Sequence, residues 1–286
     1  MNLWVILAIN SVALGGLLFL LSAGFSLIFG LMRIPNLAHG SFFMLGAYLG
    51  VTFLRIGTNF WLAAILSGLG IALLGGIIER LFLRRLQGQE LAQVLVTLGL
   101  SFMFADISLM IWGGDPIPLS APSALQGAMQ VGSIVFPSYR LAIVLVAAVI
   151  AAVLWIMIDR TRLGAMIRAG VDDAQMARVV GIRVSRLSSL IFCLGAGLAG
   201  FGGVMGGPIF SAYPGLDGDM LPLALIVVIL GGTGSLVGTL VGSFVVAFLY
   251  NYGQALFPEL AYVILFLPML VVLLIRPQGL FGRLPT

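Results

Sequence analysis

The chain has no lysine, one cysteine and one histidine among its 286 residues. Each scarcity removes a class of chemistry. Without lysine there is no Walker-type phosphate loop, whose lysine contacts the phosphates, and no Schiff base. Cys193 alone permits neither an internal disulfide nor a thiolate metal cluster. His39 alone excludes a multi-histidine metal site. The HExxH and G-x-S-x-G patterns of hydrolases are absent, so no enzymatic activity is expected. Charge is scarce too: 8% of residues are charged and 61% are hydrophobic, with a mean hydropathy of +1.18. Soluble domains carry roughly 25% charged residues, so the solvent for this chain must be lipid. The first 32 residues hold no charged side chain. A cleavable signal peptide wants a positive start and a short apolar core, so this start reads as a retained transmembrane helix. The net charge of +4 does not signal nucleic acid. The arginines sit in short loops beside apolar spans, as the positive-inside rule expects.

About 20 apolar residues cross a bilayer. Spans are expected near 5–31, 38–54, 60–80, 92–112, 140–158, 189–210 and 260–275. Segment 220–252 is longer and is interrupted by Gly231-Gly232-Thr233-Gly234-Ser235. The fold class is therefore all-α: a polytopic helical protein of about 8 membrane segments, with a broken or re-entrant segment near 220–252. One transmembrane domain covering 1–286 is expected. Setting the arginine-rich loops inside puts twelve of the fourteen arginines in the cytoplasm, leaving Arg55 and Arg140 outside. The N-terminus is then outside and the C-terminus cytoplasmic. Asp115, Asp217, Asp219 and Glu259 fall in outer loops. Parity requires 220–252 to enter and return. Leu221–Leu230 covers about 15 Å, half a bilayer, so its elbow is expected deep in protein, where irregular backbone is tolerated. Small residues recur at Gly195, Ala199, Gly203 and Gly207 and again at Gly234, Gly238 and Gly242. They serve either packing within the chain or a subunit–subunit interface. Trp4, Trp61, Trp112 and Trp155 lie near span ends, as interface anchors do.

Between two apolar spans runs DRTRLGAMIRAGVDDAQMARVVGIRVSR, residues 159–186, with six arginines and three acids. So polar an insert must leave the bilayer. Asp172 and Asp173 precede Ala174–Val180, and Gly181 follows. Acids at a helix start and a glycine at its end predict a helix of about two turns along the membrane surface. Such a structured loop is expected to meet a partner.

The form Arg168-Ala169-Gly170-Val171-Asp172-Asp173, with Ala177 four residues before Gly181, resembles the cytoplasmic loop by which ABC importer permeases dock on their ATPases. Three further stretches are similar to the branched-chain amino acid permease family, of LivH type. They are Ser22–Gly30 with Met32–Tyr48 (containing Asn36-Leu37-Ala38-His39-Gly40), Gly231–Gly238, and Arg276-Pro277-Gln278-Gly279-Leu280-Phe281-Gly282. The likeness spans essentially the whole chain. It implies a permease subunit of an ATP-driven importer in a bacterial inner membrane, moving branched-chain amino acids or a related small polar solute by alternating access. It also implies the partners: a second homologous permease, two cytoplasmic ABC ATPases and a periplasmic binding protein, besides lipid. No cofactor is expected on this chain, ATP being used by the partners. The coupling loop 159–188 is expected to act through Arg168, Asp172, Asp173, Ala177 and Gly181.

Candidates for the translocation path or its gate are Asn36, His39, Asp106, Gly231, Gly232 and Gly234. Pro35 suits a helix start. His39 is either a gate residue or a hydrogen-bonded junction. Asp106 is the acid expected well inside a span, and such acids are functional by default. It either faces the path, pairs with a partner permease, or lies near the outer membrane face. The competing mechanism is a secondary transporter driven by an ion gradient, which also uses broken helices.

Overall fold

The computed structural model describes residues 2–32, 36–131 and 134–282. Pro35, the expected helix-start residue, lies outside them, as do Arg33 and Arg283, two of the twelve arginines set inside. Eleven helices are formed among the described residues. They are α1 (Asn2–Met32), α2 (His39–Arg55), α3 (Phe60–Leu81), α4 (Glu90–Trp112), α5 (Ser138–Arg160), α6 (Arg162–Asp172), α7 (Ala174–Val179), α8 (Val184–Phe210), α9 (Leu216–Gly231), α10 (Leu236–Leu256) and α11 (Ala261–Ile275). Each expected span has its helix, and 220–252 becomes α9 plus α10. Six helices, α1, α3, α4, α5, α8 and α10, are long and apolar enough to cross a bilayer. Between α4 and α5, β1 (Ala128–Val131) and β2 (Ile134–Pro137) form a small antiparallel pair.

Helix α8 is the hub because its glycines let three helices reach its backbone. A Cβ on Gly24 of α1 would lie 2.4 Å from the Gly195 carbonyl oxygen, and one on Gly46 of α2 would lie 2.2 Å from that of Gly200. One on Gly203 would lie 2.0 Å from the Phe43 oxygen. Without a hydrophobic drive between helices in lipid, such close approach supplies the packing energy. The small-residue stripe of α8 is thus consumed inside the chain. So is that of α10, where Gly238 meets Gly231 and Gly242 meets Val227. By contrast only 11% of the apolar stretch of α4 is buried, against 61% for α8.

Two breaks in the helices lie at different depths. The deep one is at the start of α2. His39 bonds to Leu21, eleven residues before the end of α1, or about 16 Å by helix rise. The backbone N–H of Leu37 donates to Thr97, seven residues into α4. The non-helical residues 36–38 therefore run inside the bundle, where they are shielded by protein, as the chemistry of lipid demands.

The second break is the glycine elbow. Its expected place deep in protein is not where the structure puts it. Helix α9 starts at Leu216, not Leu221, because Gly215 (φ 104°) ends the preceding turn and Asp217 and Asp219 suit the positive end of a helix. At 16 residues, α9 covers about 24 Å and brings the elbow to the end of the bundle. There Gly234 lies against Gly30, two residues from the end of α1, and Thr233 and Gly234 are exposed. Ser235 Oγ accepts from the Gly238 N–H and caps α10. Asp217 is likewise no outer-loop residue: it belongs to the first turn of α9.

The tail after α11 caps α9. The N–H groups of Leu280 and Phe281 donate to the carbonyls of Leu230 and Gly231 at 2.9 and 3.1 Å, satisfying acceptors that a helix end leaves open. Gly279 has φ +82°, and a Cβ there would lie 2.5 Å from the Gly232 Cα. Gly279→Val is therefore expected to undock the tail. Limited proteolysis should then cut near Arg276 in the variant and spare the parent; equal resistance would contradict this cap.

Candidate functional site

The charged insert folds as a compact lever at the end of the bundle where the arginines gather. It contains two helices, not the single one expected. Thr161 Oγ1 accepts from the Gly164 N–H and caps α6. Gly164 lets α6 turn back on α5, for a Cβ there would lie 1.9 Å from the Ile158 oxygen. Arg168 stitches the two together, donating to the Ile158 carbonyl and pairing with Asp159 at 3.5 Å. That ion pair is half-exposed, so its worth lies in position more than energy.

Asp172 is the last residue of α6. Asp173 starts α7: its Oδ1 accepts from the N–H groups of Gln175 and Met176 at 2.8 and 3.0 Å. This N-cap is the role its residue type predicts. Gly181, at φ +89°, closes the helix. Ala177 points inward at 2% exposure, and its carbonyl accepts from the Ile182 N–H at 2.9 Å. With that side docked, α7 presents Met176 (59% exposed) and Val179 (81%) outward, and the residue that ends it, Val180 (68%), joins them. Arg168, Asp172, Asp173, Ala177 and Gly181 are thus brought together in one lever.

The candidate path residues are not gathered into one place. Asn36 and His39 share the deep break. Asn36 Oδ1 accepts from the Ala38 N–H at 3.2 Å, fixing the turn that starts α2. His39 is fully buried, and its Nε2 donates to the Leu21 carbonyl at 2.9 Å. A carbonyl only accepts, so that nitrogen carries the proton. The ring packs with Phe25 and Phe42. Asn36 also borders a small cavity with Met32, Gln93, Thr97 and Phe192. One turn on, Ser41 Oγ donates to Asp217 Oδ2 at 2.9 Å, tying the start of α2 to that of α9. Tyr213 donates to Asp219 nearby.

Gly231, Gly232 and Gly234 lie at the elbow, at the arginine-rich end. Asp106 lies on the exposed side of α4, among Phe102, Met103, Ile107 and Met110, six residues before the end of that helix. It has no hydrogen bond or ion pair among the described residues. Trp112 does more than anchor an interface, since it stacks on Tyr48 at 4.8 Å and donates to Thr52 at 3.0 Å.

Sequence reasoning missed Glu79. It is the fully buried carboxylate of α3, accepting from Ser189 Oγ of α8 at 2.6 Å. Its signal was an acid in the last turn of the expected span 60–80. Among the described residues, no three histidine, cysteine or acidic side chains gather as a metal site would require.

Comparison with known proteins bears on this arrangement. Residues 7–273 match the model of a family described as the permease component of branched-chain amino acid transport systems. The chain is 28% identical to the high-affinity branched-chain amino acid transport system permease protein LivH of Salmonella typhimurium, over 96% of this chain and 94% of that one. It is 27% identical to the corresponding permease BraD of Pseudomonas aeruginosa, with the same coverage. Over 55% of its length it is also 27% identical to the ribose import permease RbsC of Escherichia coli. No solved structure matches the chain. The helices and the relatives together make this a multi-pass membrane protein, and the chain belongs to the family of branched-chain amino acid transport permease components.

Proposed function

We propose that the chain is the permease subunit of an ATP-driven importer of branched-chain amino acids in a bacterial inner membrane. The observation that carries this is α7, a capped helix outside the apolar spans with three apolar side chains turned to solvent. Exposed apolar surface of this kind marks a partner site. On this reading the arginine-rich end is cytoplasmic, in keeping with the positive-inside rule, and each α7 seats in a groove of one of two ABC ATPases. The N-terminus is then outside. The ATPases bind and hydrolyse ATP, and this chain needs no cofactor for its part. The cargo is argued from the relatives' named substrates and from identity running the length of the chain.

The whole chain, 1–286, acts as one permease domain with the 159–188 loop as its lever. Arg168 and Gly164 fix the angle of the lever on α5. Asp173 and Gly181 fix the ends of α7, and α7 continues into α8, the hub. ATP binding can shift the permease only because the ATPase contacts differ between its two states. The deep break at Asn36 and His39 is the gate region, where α2 starts inside the bundle. The elbow at Gly231, Gly232 and Gly234 is the hinge between α9 and α10. Asp106 faces a second homologous permease across the uncovered side of α4, since a carboxylate facing lipid is costly. A periplasmic binding protein delivers cargo at the opposite end.

The test is a crosslink. Cys193→Ser removes the native thiol and Gln175→Cys places one on the exposed side of α7. Co-expression with the ATPases should yield a bismaleimide adduct whose yield changes with ATP. Folded protein that gives no adduct beside active ATPases would reject the docking of α7.

A further inference from the structure

The lever is attached to the bundle at a particular place. Helix α7 feeds α8 through the turn at Gly181, where the Ile182 N–H meets the Ala177 carbonyl and the Val184 N–H meets that of Ile182. The first two turns of α8 therefore receive whatever α7 is made to do. Those same turns are stitched to the end of α3. Ser189 Oγ donates to Glu79 Oε2 at 2.6 Å and lies 3.2 Å from the Ser185 carbonyl. Arg84 donates to Ser185 Oγ at 3.1 Å. Glu79 is 0% exposed, and its other oxygen has no partner among the described residues. A carboxylate is expensive to hold in an apolar span and is found there for a purpose. Nothing in the transport reading above uses it.

The faces of α8 toward α1 and α2 lack such bonds. They meet backbone to backbone at Gly195, Gly200 and Gly203, as α3 also does at Gly197, and by a ring contact of Phe42 with Phe192. No side-chain hydrogen bond among the described residues crosses either of them. A glycine face without directional bonds can glide; a face pinned by a buried carboxylate and two serines resists gliding.

We infer that α3 and α8 form one rigid body, hitched at Glu79, and that this body carries the stroke of the coupling helix into the membrane while α1 and α2 glide against it. The inference rests on the ATP-driven reading proposed above. Glu79 is a positioning residue: it acts through Ser189 on α8.

The native Cys193 provides the test. A Cβ on Gly76 of α3 would lie 2.5 Å from the Cys193 Sγ, so Gly76→Cys creates a pair that copper phenanthroline can join. If the two helices move together, joining them changes nothing. The oxidised Gly76→Cys importer, reconstituted with its partner permease, ATPases and binding protein, should keep its ATP-driven leucine uptake. A loss on oxidation that dithiothreitol reverses would mean the helices slide, and would overturn the inference. The hitch itself is read as leucine moved per ATP hydrolysed. Ser189→Ala and Glu79→Leu should each lower that ratio by about threefold or more, within the range known for coupling residues. Glu79→Gln, which keeps an acceptor for the serine, should restore it. Unchanged ratios in Ser189→Ala would also overturn the inference, and that variant removes too little to prevent folding. If the unmodified importer shows no ATP-driven uptake, the ATP-driven reading itself fails, which is a separate result.

Discussion

Gly203→Leu is expected to destabilise the protein strongly, lowering both its yield and its melting temperature. At this position α8 and α2 touch backbone to backbone. A Cβ would lie 2.0 Å from the Phe43 oxygen and 2.8 Å from the Ala47 nitrogen. These obstacles belong to main chain inside a helix, so no rotamer change relieves the clash; α2 must move as a body. Overpacking a core, backbone shifts included, typically costs about 1–3 kcal/mol and occasionally more. Moving α2 would also disturb the bonds His39–Leu21 and Ser41–Asp217 that set the start of that helix. Against a total stability of roughly 5–15 kcal/mol, such a loss is a large fraction and should show as a clear drop in melting temperature. Gly218→Leu is the control, because a Cβ there meets nothing within 4 Å. The check is the monodisperse fraction and melting temperature of each variant in detergent. A Gly203→Leu protein that melts with the parent would refute the close α8–α2 contact.

The second large effect concerns transport without loss of fold. Val179→Asp together with Val180→Asp should abolish ATP-driven uptake while leaving the yield and melting temperature of the permease unchanged. Both side chains are mostly exposed, at 81% and 68%, so no internal packing is lost. In the proposed complex they enter a groove on the ATPase. Two carboxylates buried there without partners cost several kcal/mol, and each 1.4 kcal/mol is tenfold in affinity. Uptake should therefore fall by at least about a hundredfold. Wild-type uptake in this variant would show that α7 touches nothing.

Much of the architecture was legible because lipid simplifies the problem. A span must be apolar and about 20 residues long, so α1, α3, α4 and α5 could be read from hydropathy alone. The ends of α7 were legible for a local reason: an aspartate that can cap and a glycine that can take positive φ leave little choice at Asp173 and Gly181. What hydropathy cannot report is depth. The glycine cluster at 231–235 looked like a deep elbow because Leu221–Leu230 is too short to cross. Helix α9 gains its length from LDGDM, which reads as loop by composition but is held by Gly215 before it and by Ser41 on Asp217. The truly deep break, at Asn36–His39, depends on Leu37 meeting Thr97 and His39 meeting Leu21, contacts between residues 60 and 18 apart in the chain. Polar residues gave mixed signals for the same reason. Asp106 looked buried by its place in a span yet faces outward. Glu79, at the end of a span and passed over in sequence, is sealed between α3 and α8. Which side of a helix is covered is a tertiary fact, and with almost no amphipathic contrast around these helices it leaves little trace in sequence.

The central claim is that ATP, bound by partner subunits, drives a solute through this chain. Its most direct test is uptake of labelled leucine into proteoliposomes holding this permease, its partner permease, the two ATPases and the binding protein. The account predicts uptake that requires ATP and survives ionophores that collapse proton and sodium gradients. Uptake that proceeds without ATP on an imposed ion gradient, and stops when ionophores are added, would contradict it and make the chain a gradient-driven carrier.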